Sequence, residues 1–225
     1  MRIAFLADLH GNRPATEAAA AALASLCPND VWFLGDAVGK GPSNDFCCDW
    51  VRAHCQHWVG GNWDYGVGAR QFPADGYYWR QLGEERLSWL RSLPREAELT
   101  FGGVRFRLLH GRPVTELLRV QSPSEALEAL FHTAQGDFGG VIFADSHRPF
   151  VRTLSSGYVI NTGSIGNSMG VPKAHFLLLE DQPLRMTVVS VPYDNEAAVA
   201  DALREKDLPK REAYIREIQT GIYSR

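Results

Sequence analysis

A chain of 225 residues with 45% hydrophobic content can bury one sizeable core and still leave a cleft, so a single domain over residues 1–225 is expected. Its formal charge of −3 gives no net attraction for nucleic-acid backbone or an anionic membrane, although a local basic mouth stays compatible with it. The apolar start, Met1 to Ala7, is too short for a signal peptide and carries Arg2, and no apolar stretch reaches the length of a membrane span, so a soluble cytoplasmic protein with no membrane partner is expected.

Arg2 to Ala7 reads as a strand, and Pro14 then opens an alanine-rich helix, Ala15 to Leu26, at a first-turn position where its missing N–H costs nothing. Asp30 to Leu34 is a second strand. Beyond Gly39-Lys40-Gly41-Pro42, Ser43 can cap a helix to about Cys55, and His57 to Val59 makes a third short strand. This βαβαβ opening predicts parallel strands with helices on the sheet faces. Tyr78 to Leu93 has helical spacing and stops at Pro94. From Leu99 to Val191 the texture changes to short strands and glycine-rich turns, interrupted by one predicted helix, Ser124 to Ala134, and a mixed sheet or two packed sheets follows from that change. Asn195 to Gln219 returns to two helical stretches broken at Leu208-Pro209.

Of the four cysteines, Cys47, Cys48 and Cys55 crowd onto one helix and the following turn, a poor framework for disulfides. With His54 and His57 they could suggest zinc, but no CxxC pair is present and adjacent ligands would point to different helix faces, so they are read as ordinary buried thiols.

The chemistry gathers at the ends of apolar runs: Asp8-Leu9-His10-Gly11-Asn12, Gly35-Asp36, Gly61-Asn62-Trp63-Asp64, Leu109-His110-Gly111 and Asp145-Ser146-His147-Arg148-Pro149. Taken singly, each motif is as well explained by a turn or a cap. Jointly, five segments each end an apolar run on a metal-competent residue at the carboxyl edge of a sheet, where open α/β sheets keep their ligands. Asp8 and His10, two apart on an extended strand end, would point to the same side, and Asp145 with His147 repeats that spacing. Asp36 can offer two oxygens to two ions, and Gly35 and Gly11 would let backbone come close. Asn62 adds a neutral carbonyl oxygen and His110 an imidazole, so the seven donors suit manganese, iron, zinc or magnesium.

These motifs resemble the calcineurin-like metallophosphoesterase superfamily, and within it the small bacterial and archaeal branch that combines DxHGN, GDxVGxGP, GN(x)D, LHG and GH(S/T)HxP. Asn161-Thr162-Gly163-Ser164-Ile165-Gly166 is similar to that branch's NPGS(V/I)G turn, and Val191-Pro192-Tyr193-Asp194 to the start of its last helical segment. The resemblance covers nearly the whole chain. It implies an α/β fold, a four-layer α/β/β/α sandwich of two mixed sheets flanked by helices, with two divalent metal ions. Manganese is the first choice, with iron, zinc, nickel or magnesium as alternatives. By the match, Asp8, His10, Asp36 and His147 would hold one ion and Asp36, Asn62, His110 and Asp145 the other, with Asp36, Asn62 and His110 also serving catalysis.

Two positions depart from the family pattern. Trp63 stands where the family has the histidine of GNH, which removes a group that could protonate a leaving oxygen, help worth about 10²–10⁴-fold in rate. Good leaving groups and diesters would suffer least. Asp145 replaces the first histidine of GHTH, which adds negative charge and favours harder ions; the alternatives are that Asp145 orients His147 or marks a site that holds one ion. Lys40 occupies the place of the arginine in the related GDxVDRG loop and is the first expected phosphate contact. Asn12, Arg13 and Arg148 are further choices, and Trp63 is either packed beside its turn, as an indole there more often is, or a stacking platform for a base or aryl group. The expected activity is metal-dependent hydrolysis of a small phosphodiester or nucleotide. The competing readings are a protein or diadenosine-polyphosphate phosphatase and a non-catalytic scaffold, as in the retromer subunit that resembles this fold.

Overall fold

The computed structural model describes residues 1–111, 123–134 and 136–224. The chain opens with β1 (Arg2–Leu6), α1 (Arg13–Leu26), β2 (Asp30–Leu34), α2 (Asn44–His54) and β3 (His57–Val59). The three strands are parallel, with Phe5 opposite Trp32 and Phe33 opposite Trp58, so the expected βαβαβ unit is present. A short helix, α3 (Asn62–Gly68), follows, and then α4 (Gly76–Ser92), which breaks at Gly83, where φ is 70°.

The second half supplies β4 (Glu96–Phe101), β5 (Val104–Leu109), α5 (Ser124–Glu128), the two-residue strands β6 (His132–Thr133) and β7 (Gly136–Asp137), then β8 (Gly140–Phe143), β9 (Phe150–Thr153) and β10 (Tyr158–Asn161). The antiparallel pair β11 (Ala174–Asp181) and β12 (Leu184–Val191) precedes α6 (Asn195–Arg204) and α7 (Arg211–Thr220). Two five-stranded mixed sheets result, in the orders β12-β11-β1-β2-β3 and β4-β5-β8-β10-β9. The long hairpin β11–β12 thus returns to the first sheet, with Leu179 beside Ile3 on β1.

Alternation along each strand divides the apolar residues among three cores. Ile3 and Phe5 face the layer between the sheets with Leu34, Phe106, Leu108, Ile142, Ile160 and Leu177. Ala4 and Leu6 face the helices with Phe33, Phe176 and residues of α1, α2, α4, α6 and α7. On the far side of the second sheet, Val141, Phe143 and Val159 pack against Leu127, Leu130 and Phe131. The four-layer expectation is met.

The helix expected over Ser124 to Ala134 stops at Glu128 and tightens into a 3-10 turn, Ala129–Phe131. That turn puts both Leu130 and Phe131 beneath the second sheet, so burial outweighs local helical spacing. Residues 112–122 and 135, inside the span expected as short strands, lie outside the described residues. Among the described residues no helix is long and apolar enough to cross a membrane.

Phe106 is fully buried between the sheets, so Phe106→Ala should lower the unfolding free energy by about 3–5 kcal/mol in urea denaturation. Leu203→Ala, at a side chain 57% exposed on α6, should change it by no more than about 0.5 kcal/mol.

Candidate metal centre

β1 ends at Leu6, so Asp8 and His10 do not lie on an extended strand end. Both are left-handed, with φ of 54° and 47°, and this is what turns both side chains to one point. The same device serves Asp36 (φ 61°) beyond β2, and Asp145 and His147 (both φ 58°) beyond β8. With Lys40, these make up six of the nine described non-glycine residues at positive φ. Each such residue costs on the order of 1–3 kcal/mol unless its surroundings hold it. Here backbone bonds hold the loops: Asp8 N–H donates to Gly35 O (2.8 Å), His10 N–H to Asp36 O (3.1 Å), and Gly166 N–H to Asp8 O (2.8 Å).

Each of the three imidazoles is fixed through Nδ1. The Nδ1–H groups donate to backbone carbonyls: His10 to Val38 O (3.0 Å), His110 to Leu34 O (2.7 Å) and His147 to Asn167 O (2.6 Å). A carbonyl can only accept, so this tautomer leaves the Nε2 lone pairs facing inward. There His10 Nε2 lies 3.2 Å from His147 Nε2, with Asp8 Oδ1 3.6 Å and 3.5 Å from the two. His110 Nε2 lies 3.3 Å from Asp36 Oδ2, 3.5 Å from Asp145 Oδ1 and 3.9 Å from Asp8 Oδ1. Asp36 Oδ2 is also 3.7 Å from His10 Nε2. Two buried three-residue groups have metal-ligand spacing, Asp8-His10-His147 and Asp8-Asp36-His110.

Lone pairs converging at these distances repel unless a cation lies among them. Both carboxylate oxygens of Asp8, the Oδ1 of Asn62 and the Nε2 of His110 are buried and accept no hydrogen bond. Burial, reinforced by Asp36 and Asp145, pushes the Asp8 carboxyl well above the usual range, against the pull of His110. Burial opposes charge on His110, but Asp36, Asp145 and Asp8 outweigh it and raise that imidazole. Burial and the Lys40 ammonium push His147 well down, toward the neutral form that ligates. The donor set therefore fits divalent metal ions.

One contributor lay in a motif that sequence reasoning quoted without giving it a role. The buried Asp64 carboxylate accepts N–H bonds from Asp36 (2.7 Å), Ala37 (2.9 Å) and Gly61 (2.9 Å), tying the loop after β2 to the start of α3. Burial and the neighbouring Asp36 charge push it up to about 7, while those amides pull the other way. Its i+3 placement after Gly61 was the available signal. Close approach also explains two glycines: a Cβ on Gly35 would fall 2.6 Å from His110 Nδ1, and one on Gly61 would fall 2.1 Å from Asp36 Oδ1.

The expected substrate contacts separate. Lys40 is buried, with Nζ 2.5 Å from Asn167 Oδ1 and 3.5 Å from Glu217 Oε2 on α7, so its charge is engaged inside the protein. Asn12 caps α1 by accepting from Ala15 N–H and donates Nδ2 to Gly166 O (2.8 Å). Arg13 pairs with Glu17 on α1 and lies over Phe46. Arg148 is exposed beside His147. Trp63 is half-buried, 5.9 Å edge-on from the His10 ring, and its N–H donates to Asp36 Oδ1 (2.8 Å).

Against known proteins, the sequence pattern of the calcineurin-like phosphoesterase superfamily domain matches residues 1–182. The uncharacterized protein MJ0912 of Methanocaldococcus jannaschii is 27% identical over 234 residues, covering 91% of this chain and 93% of that protein. A metallophosphoesterase from Sphaerobacter thermophilus superposes with a TM-score of 0.76 at 26% identity, over 99% of this chain and 100% of the other. A hypothetical protein, PH1004 of Pyrococcus horikoshii, shares the fold with a TM-score of 0.81 at 22% identity, over 99% of each chain.

Asp64→Asn would set an amide N–H₂ against one of the backbone donors. The unfolding free energy should fall by about 1–3 kcal/mol, read from urea denaturation, and an unchanged midpoint would show that the amides find other partners.

Proposed function

The chain belongs to the calcineurin-like phosphoesterase superfamily, and from that premise we propose that it is a metal-dependent hydrolase of small phosphodiester or nucleotide substrates. The observation that carries this is the inward convergence of three Nε2 lone pairs and the Asp8 and Asp36 carboxylates, each imidazole held by a backbone carbonyl behind it. Asp8, His10, Asp36 and His147 would hold one divalent ion, and Asp36, Asn62, His110 and Asp145 the other. Manganese is the first choice for this oxygen and nitrogen donor set. Two such ions, when bound, supply a lowered pKa for an attacking water and charge to neutralise phosphoryl oxygens.

The chain's own residues position and exclude. Asp36 keeps Oδ1 on the Trp63 backbone amide and leaves Oδ2 3.7 Å from His10 Nε2 and 3.3 Å from His110 Nε2, so this carboxylate would be the one to serve both ions. Asn62, the first residue of α3, presents its unpartnered Oδ1 beside them. Trp63 covers the His10 edge with an indole that cannot carry a proton to a leaving oxygen. A leaving group that departs as a stable anion, or an ester with a single negative charge, suits such a site better than an alkyl monoester.

Hydrolysis of bis-p-nitrophenyl phosphate should exceed that of p-nitrophenyl phosphate, require Mn²⁺ or another divalent ion and stop with chelator. Asp36→Asn should fall below about 1% of that rate while keeping its thermal midpoint in the metal-free state. Full activity in Asp36→Asn removes the shared-ligand role, and no cleavage with any divalent ion puts the scaffold reading in its place. Trp63→His should raise monoester turnover by about 10²-fold, measured with phenyl phosphate.

A further inference from the structure

Asn62 separates two openings. On one side a cleft of about 50 Å³ is lined by Gly60, Asn62, Tyr65, Arg95 and His110. On the other a groove of about 330 Å³ runs from Asn62 and Trp63 to Phe72 and Lys210. Neither Arg95 nor Phe72 belongs to any of the motifs that suggested the metal centre.

Arg95 has the setting of an anion anchor. Its guanidinium lies 4.7 Å above the Tyr65 ring centroid. That ring is pinned in turn, because the Tyr65 hydroxyl donates to Leu93 O (3.1 Å) and Pro94 O (2.9 Å), the backbone just before Arg95. An exposed arginine is thereby held on an aromatic pedestal. Other surface arginines here, such as Arg70, Arg86, Arg105 and Arg107, spend their charge on a neighbouring carboxylate. Among the described residues Arg95 has no such partner. Asn62 and His110 line the same cleft, and Asn62 Oδ1 and His110 Nε2 are buried and without hydrogen bonds. A planar N–H fork lining that cleft matches the oxygens of a phosphoryl group.

The opposite groove is aromatic. Phe72 is 54% exposed, and Gly66, whose absent Cβ would lie 3.6 Å from the Phe72 ring, lines the groove beside it. Trp63 lines it beside Asn62, and the charged side chains of the groove are Asp75 and Lys210. Apolar aromatic faces bordered by one acid and one base receive a planar heterocycle, which can both stack and hydrogen-bond at its edge, better than an alkyl chain.

We propose that a phosphodiester lies across Asn62, with an anionic oxygen on Arg95 and an aromatic, nucleobase-like arm in the groove between Trp63 and Phe72. This rests on the phosphodiesterase reading above and narrows its substrate class to esters with one aromatic heterocyclic arm. Arg95 then contributes phosphate affinity whatever the ester carries, and Phe72 contributes selectivity between esters.

The test compares thymidine 5′-(p-nitrophenyl) phosphate with methyl p-nitrophenyl phosphate in the wild type, Arg95→Gln and Phe72→Ala, with Mn²⁺ present. Both altered side chains are exposed, and unchanged thermal midpoints confirm the folds. The wild type should favour the thymidine ester. Arg95→Gln should raise KM about tenfold for both esters, and Phe72→Ala should reduce the preference for the thymidine ester by about tenfold. A wild type that hydrolyses both esters while neither variant shifts KM or preference overturns the proposal and leaves the phosphodiesterase reading standing. If the wild type hydrolyses neither, calorimetric titration with thymidine 5′-monophosphate decides. Binding weakened about tenfold in both variants supports the two-sided site without the hydrolase, and absent or unaltered binding overturns it.

Discussion

Three carboxylates and three imidazoles are drawn out of water with their lone pairs facing one another, and much of the surrounding structure serves to hold that arrangement. Left to itself the cluster would open, because buried acceptors without donors are costly and like charges at such distances repel. It is held by anchors directed at the far side of each group: carbonyls of Val38, Leu34 and Asn167 on the imidazoles, and the Trp63 amide on Asp36. Asp64 adds a further tie by gathering three amides from two loops. Such rigidity before any ligand arrives lets a site discriminate by donor type and geometry.

The two sheets make this possible by ending together. β1 and β2 of one sheet and β5 and β8 of the other lie back to back over an apolar core, so the loops beyond all four strands meet at one edge. No single sheet could surround the cluster from both sides. The C-terminal segment closes the arrangement from a third direction. Glu217 of α7 lies beyond the matched family region, yet its carboxylate faces Lys40, whose Nζ also reaches Asn167, the residue whose carbonyl holds His147. The lysine of the GDAVGKGP loop is thus a buried link between the last helix and a ligand-bearing loop.

Trp63 changes the site's character without changing its frame. Its backbone amide still serves Asp36, a role any residue could fill, while the indole packs edge-on to His10 and Tyr78 and borders an aromatic groove. The indole thus presents an apolar wall with no titratable group, while Arg95, on the far side of Asn62's cleft, is held over the Tyr65 ring.

The βαβαβ opening, the helix from Asn44 to His54 and the paired helices at the end were legible in the sequence, because strand alternation, Pro14 and the break at Leu208-Pro209 act within a few residues. So were the metal-competent residues, since each sits where an apolar run stops. Their convergence was correctly expected but for an incomplete reason: Asp8 with His10, and Asp145 with His147, meet through left-handed backbone rather than extended strand ends. Positive φ is stabilised by hydrogen bonds from distant loops, which no local pattern records. The same limit governed Lys40, Asn12 and Arg13, whose residue types suited a phosphate but whose partners are Asn167, Gly166 and Glu17. Arg95 and Phe72 fell outside every motif. By itself the sequence determined which donor types stand at the strand ends and which strands carry them, because residue type and alternation are local properties. Tertiary structure alone decided which charged groups face the cluster and which are spent within the protein, because that depends on contacts between residues distant in the chain, 177 positions apart for Lys40 and Glu217.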